Sequence, residues 1–275
     1  MPSIKTLRDD VYKLFDPKSK VVPKDEDLDT FLGNMRSKLI EKLGGEYKPS
    51  LRMSSIGQPC ARKGWYELHE PDKAEAMQPW VYIKFLYGDL IEQLLMFLIK
   101  TAGHKVTHEQ ETLEIDGVPG HTDGMVDDVP VDIKSASSYG FKKFESGLKK
   151  EDDGFGYLNH LGLYNKALGN EGPAAFIAFE KQSGESCVDM HDNLNDVDYN
   201  ELVRTRKKIM SLDVPPPRGF DDLPEGASGN RKLGLNCGYC NHRRHCWPGL
   251  RTFLYSRGPV HLTNVARLPD VTEVL

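Results

Sequence analysis

Gly120-His121-Thr122-Asp123-Gly124-Met125-Val126-Asp127-Asp128-Val129-Pro130-Val131-Asp132-Ile133-Lys134 reads as two short strands joined at Asp127-Asp128. Side chains two apart on a strand share a face, so Asp132 and Lys134 point one way while Val131 and Ile133 point into a core. A turn centred between Asp127 and Asp128 sets Asp123 directly opposite Asp132. Such neighbours have Cβ atoms about 4.5–5.5 Å apart, and like charges there are destabilising unless a cation lies between them. Hard divalent cations are bound by carboxylate pairs of this kind. Aspartate is depleted in strands, so two at mirror positions with a lysine on the same face predict a metal site rather than a solvated ribbon.

Around this ribbon the pattern is mixed. Residues 107–115 form a strand ending at the hairpin signal Asp116-Gly117, and residues 118–126 and 129–135 form the next two. Residues 156–168 and the basic stretch 201–210 are helical, with a short buried strand over 174–179 between them and a proline run at 215–217 after them. Upstream, Leu28, Phe31, Leu32, Met35, Leu39, Ile40 and Leu43 make a helical stripe, ended by Gly44 and Gly45, with Lys48-Pro49-Ser50 as a joint. Ser54 or Ser55 starts a second helix carrying Cys60 and Tyr66. The run 80–102 is apolar nearly all round and predicts a central core helix. The sum is an α/β fold, helices around a small mixed sheet. It divides into an N-terminal helical extension (1–49), a core (50–250) and a C-terminal tail (251–275).

The 275 residues are 39% hydrophobic and 28% charged with a formal charge of −5, enough for a buried core and against a chain that coats nucleic acid or an anionic membrane over its whole surface. Lys84, Asp89, Glu92 and Gln93 interrupt the most apolar run, so no membrane span is expected. The N-terminus has no apolar leader segment, and a cytoplasmic location is expected. In a reducing compartment the 5 cysteines point to metal ligation or burial rather than disulfides.

Asp123 followed by Asp132-Ile133-Lys134 resembles the two-strand signature of PD-(D/E)XK nucleases. The resemblance implies that the acidic pair binds Mg2+ or Mn2+, that the main-chain carbonyl of Ile133 adds a ligand, and that Lys134 positions or activates the attacking water. Tyr87-Gly88-Asp89-Leu90-Ile91-Glu92 resembles the Gly-x-x-x-His/Glu first motif of the RecB-like branch, which makes Glu92 the third metal carboxylate, with Asp89 one turn earlier as competitor. His160 and Tyr164, at i and i+4 on one helical face, resemble the Gln-x-x-x-Tyr motif that orients the substrate strand in that branch, with histidine in place of glutamine.

Cys237-Gly-Tyr-Cys240 followed by Cys246, together with the remote Cys60, gives four thiols, the ligand number of a tetrahedral zinc or a cubane iron–sulfur cluster. One cysteine before the nuclease motifs and three after them resembles the iron–sulfur RecB-like nucleases, the CRISPR-associated RecB-like exonucleases and AddB-type nuclease domains. The resemblance implies a [4Fe–4S] cluster clamping the core; zinc is the alternative, with His242 or His245 able to replace a thiolate. Cys187 has no partner in this pattern and is expected in the core.

Arg231, Lys232, Arg243, Arg244, Arg251 and Arg257 form an acid-free basic segment, Arg204, Arg206, Lys207 and Lys208 a second one, and Tyr239 and Trp247 could stack on bases. The expected activity is a metal-dependent DNA exonuclease on single strands or free ends. No nucleotide-binding Gly-x4-Gly-Lys motif occurs, so a helicase or recombination partner would act in trans. The alternatives are a catalytically inactive iron–sulfur DNA-binding subunit of a repair or recombination complex and an iron–sulfur electron carrier.

Overall fold

The computed structural model describes residues 2–44 and 49–274. The expected chain positions Gly45 and Lys48 lie outside the described residues. The N-terminal part holds α1 (Leu7–Lys13) and α2 (Asp25–Gly44), followed by α3 (Met53–Ile56), α4 (Ala61–His69) and the long α5 (Pro79–Thr101). Then come β1 (Val106–Thr107), β2 (Thr112–Ile115), β3 (Val118–His121), β4 (Gly124–Val126) and β5 (Val129–Ala136). Two helices, α6 (Ser138–Glu145) and α7 (Tyr157–Ala167), lead to β6 (Ala174–Glu180), β7 (Ser186–His191) and α8 (Tyr199–Met210). The C-terminal part contains β8 (Leu223–Pro224), β9 (Arg231–Lys232), α9 (Leu235–Gly238), α10 (Arg243–Cys246), β10 (Arg251–Tyr255), β11 (Gly258–Asn264) and β12 (Glu273–Val274).

The chain is therefore mixed α/β. The central sheet has strand order β1-β4-β5-β6-β7, with only the β5–β6 pair parallel, and α6 and α7 form the crossover that this parallel pair requires. Ala174 to Ala178 of β6 are all buried, as a strand covered on both faces should be. One face carries Val131, Ile133, Ala175 and Ile177 and packs under Ile91, Leu95, Met96 and Ile99 of α5 together with Leu7 and Val11 of α1. The other face, with Phe176 and Ala178, is covered by Phe141 and Phe144 of α6 and Leu161 of α7. Close backbone approach fixes the start of α7. Gly156 has φ 78°, and a Cβ there would come within 2.1 Å of the Gly57 carbonyl oxygen.

Three expectations are corrected here. Only the second half of α5 lies in the core; Trp80, Ile83 and Phe85 are 54%, 67% and 50% exposed. A 23-residue helix runs about 34 Å, and its first half extends past the sheet that buries the rest. The helix expected from Ser54 through Tyr66 breaks at Gly57 to Cys60, because Pro59 cannot sit in a helix interior and forces the preceding residue toward an extended backbone. The stretch 251–275, expected as a tail, supplies β10, β11 and β12 to a second sheet of order β12-β10-β11-β9-β8, with Phe253 and Leu262 buried. Among the described residues, no helix is long and apolar enough to cross a membrane.

Candidate active site and cysteine clasp

The β4–β5 hairpin has the register read from the sequence: Gly124 pairs with Val131, Met125 with Pro130 and Val126 with Val129. Asp127 and Asp128 have φ of 51° and 65°, the left-handed pair that a type I′ turn needs. The turn is pinned by His104 Nδ1, 2.7 Å from Asp127 Oδ2, and by the Lys105 N–H, which donates to Asp127 Oδ1. Asp123 lies one residue beyond the paired stretch, so it is free of the ladder, and its Oδ2 accepts the Ile133 N–H at 2.6 Å.

Asp132 and Lys134 share the sheet face that α7 covers, so the face is closed rather than solvent-facing; Asp132 is buried. Lys134 Nζ lies 2.5 Å from Asp132 Oδ2 and 5.2 Å from the centre of the Tyr157 ring. The ion contact does not have hydrogen-bond geometry, and Asp132 Oδ2 has no hydrogen-bond partner. Tyr157, His160 and Tyr164 fall at helical spacing on the face of α7 turned to these groups, and the His160 and Tyr164 rings are 4.5 Å apart. Buried His160 Nε2 has no partner.

Glu92 projects from α5, and its Oε1 accepts from Gln110 Nε2 at 2.8 Å and from Gln93 Nε2 at 3.1 Å. The competitor Asp89 is engaged elsewhere, 3.3 Å from Lys42 Nζ of α2. Gly88 lets α5 approach β5, since a Cβ there would stand 3.3 Å from Ser135 Oγ.

The electrostatics tie these side chains into one site. Burial, then the charges of Glu92 and Asp132, push the Asp123 carboxyl well above the usual carboxylate range. Burial also raises Glu92. Burial disfavours the Lys134 ammonium, but Asp132 and Asp123 outweigh it and leave the pKa raised, so this lysine keeps its proton. Burial brings His160 down to about 4, making it neutral at pH 7, and raises the Tyr164 hydroxyl, which stays protonated. Among the described residues, no three His, Cys, Asp or Glu side chains are preassembled closely enough to hold one ion. Asp132 is turned onto Lys134 and Glu92 onto Gln110 instead.

Cys60, Cys237, Cys240 and Cys246, brought from the start of α4 and from the α9–α10 segment, line one cavity beside Tyr66, Gly219 and Trp247. Gly219 admits the closeness: a Cβ there would be 3.1 Å from Cys60 Sγ. Burial, followed by the thiols of Cys60, Cys240 and Cys246, pushes Cys237 up to about 11. Neither His242 nor His245 lines the cavity; His242 stacks on Tyr66, and His245 Nε2 lies 2.6 Å from Glu70. Cys187 is half-buried in β7 against the α6 core, its thiol raised by burial to about 12.

The two basic segments are less free than their sequence suggests. Arg231 pairs with Asp222, Arg243 and Arg244 with Glu75, and Arg251 with Glu273. In the other cluster, Arg204 pairs with Glu201 and Lys207 with Asp116, while Arg206 donates to the Gln58 carbonyl. Trp247 is covered by the Arg218 guanidinium at 3.9 Å, whereas Tyr239 is exposed.

Sequence reading missed Tyr157, Gln93 and Gln110. Tyr157 carried a signal, its spacing from His160 and Tyr164; Gln110 lies in a loop and carried none. No family model matches this chain, and no curated protein does. Among solved structures the chain is similar to one described as "Crystal structure of SSO0001", with 13% identity and a TM-score of 0.41 over 78% of this chain and 93% of that chain.

Proposed function

We propose that this chain is a metal-dependent DNA nuclease with a PD-(D/E)XK-type core, an exonuclease acting on single strands or free ends, braced by a [4Fe–4S] cluster on Cys60, Cys237, Cys240 and Cys246. The observation that carries the reading is that Glu92, Asp123 and Asp132 lie within electrostatic reach of one another and of Lys134 in one partly buried place. The carboxylates outnumber this ammonium, and burial raises Asp123 and Glu92. Such a site favours a hard divalent cation. The oxygen-only donors, with Asp132 Oδ2 held by Lys134 alone, fit Mg2+ or Mn2+ bound by Glu92, Asp123, Asp132 and the Ile133 carbonyl. When bound, such an ion neutralises charge on the phosphodiester and acidifies a water.

The chain's own groups then have definite tasks. Lys134 keeps its proton, so it acts by positive charge, orienting the nucleophilic water and favouring its hydroxide form, and not as a base. Tyr164 stays a hydroxyl donor, and neutral His160 offers a ring nitrogen to the substrate strand where the related motif has an amide. Four thiols on one cavity without a histidine support an all-cysteine cluster over a mixed zinc site.

The test is digestion of an end-labelled single-stranded oligonucleotide with Mn2+. Wild-type protein should shorten it, and Lys134→Ala should be slower by roughly 10²–10³-fold. Undiminished cleavage by that variant would overturn the site. DNA binding without any cleavage by the wild type would favour the inactive DNA-binding subunit. Anaerobically purified protein should be brown with iron and sulfide near four each per chain; zinc in their place would overturn the cluster.

A further inference from the structure

We propose that Lys38, on the N-terminal helix α2, is a substrate-phosphate ligand of the carboxylate site, a positioning residue supplied from outside the nuclease core; this rests on the nuclease reading above. Two contacts align α2 with α5. The Phe31 ring stacks on Phe97 at 5.1 Å, and Lys42 Nζ lies 3.3 Å from Asp89 Oδ2. Rising numbers on α2 thus meet falling numbers on α5, so the helices are antiparallel. Lys38 stands one turn before Lys42, and Glu92 about one turn after Asp89, so the Lys38 stem rises level with Glu92. Its positive charge is the first of the influences that oppose the rise of Glu92.

The charge balance gives Lys38 its task. Glu92, Asp123 and Asp132 are offset by one divalent cation and Lys134, which leaves the incoming phosphodiester uncompensated. One further ammonium on a flexible stem balances it, and a compact point charge suits a phosphate that moves during reaction. Lys42 cannot serve, being committed to Asp89, whereas Lys38 is half-buried and makes no ion pair among the described residues. A counter-charge that only steadies Glu92 would leave DNA affinity unchanged, and this separates the two roles.

The experiment measures anisotropy of a fluorescein-labelled single-stranded oligonucleotide, with Ca2+ replacing Mn2+, over a series of KCl concentrations. It compares wild type, Lys38→Gln, Lys38→Met, Lys38→Arg and Lys42→Gln, each with a thermal melt. Losing one phosphate contact should weaken binding by about tenfold at low salt and make the log–log salt slope shallower by about 0.7. In Mn2+ the same loss should appear mainly in KM, with Lys38→Arg restoring most of it and Lys42→Gln keeping the wild-type slope. Unchanged affinity and slope in both Lys38→Gln and Lys38→Met would overturn the proposal. A wild type that binds with the expected slope yet never cleaves would sink the nuclease reading while leaving the Lys38 contact standing. A wild type that binds no oligonucleotide overturns both.

Discussion

The carboxylate site and the cysteine clasp are both partly buried clusters of groups that repel one another when ionised, but the chain compensates the first more fully. Asp132 has Lys134, Asp123 has the Ile133 N–H, and Glu92 has Gln93 and Gln110. The thiols of the clasp have a weaker internal answer, Trp247 for Cys237 and the His242 N–H with Lys63 for Cys240; burial and mutual repulsion still raise Cys237 to about 11, and burial raises Cys240. A site with its own counter-groups can wait for a cation with its fold intact. On the proposed cluster reading, thiols drawn from distant segments depend on the group they hold.

On that reading, removing one cysteine should give the largest effect. A link between residues 60 and 246 encloses most of the core, and on the chain-entropy scale closing a loop of that length is worth about 5 kcal/mol. Cys240→Ala should be insoluble or protease-sensitive; a variant with the wild-type melting temperature and colour would break the contrast between the two regions.

At the carboxylate site the sign reverses, because removing a charge should help the metal-free protein. The Asp123 carboxyl is raised in the fold above its unfolded value. Its contribution is present in acid and lost as pH rises through the folded value. Asp123→Asn should thus stabilise the metal-free chain at pH 7 and flatten the rise toward acid, while Mg2+ should raise the melting temperature of the wild type alone. Equal melting of the two proteins at pH 7 without metal would show that the site is not strained by charge.

His160 gives the smallest and opposite dependence. Its folded value of about 4 lies below the ordinary 6.5, so its stabilisation is complete above 6.5 and is lost as pH falls toward 4. Between pH 7 and 4.5 the wild type should lose about 2 kcal/mol more than His160→Gln; parallel melting curves would place His160 in solvent contact.

The parts read correctly from the sequence rest on short-range rules. The β4–β5 register follows from two-residue periodicity and a turn of two aspartates, and the His160–Tyr164 face follows from helical spacing. What escaped depends on distant partners. Glu75, Asp222 and Glu273 lie far along the chain from some of the arginines they neutralise, so a local charge count overstated the free basic surface. The second sheet escaped because β8, β9 and β12 are two residues each and exist only through pairing, β12 on β10, β9 on β11 and β8 on β9. Helix α1 offered only Leu7 and Val11 as signal, though both are buried against α5 and the sheet.

The loop that carries Gln110 adds a mechanical consequence. His108 and Gln110 both have φ of 55°, a left-handed twist that costs a side-chain-bearing residue about 1–2 kcal/mol. The cost is met where Gln110 grips Glu92 and Glu109 grips Lys100. If Glu92 exchanges that grip for an ion, one of the two restraints on the twisted loop is lost while the Glu109–Lys100 pair remains. Filling the site would then be felt at the entrance to β2, well away from the reacting phosphate.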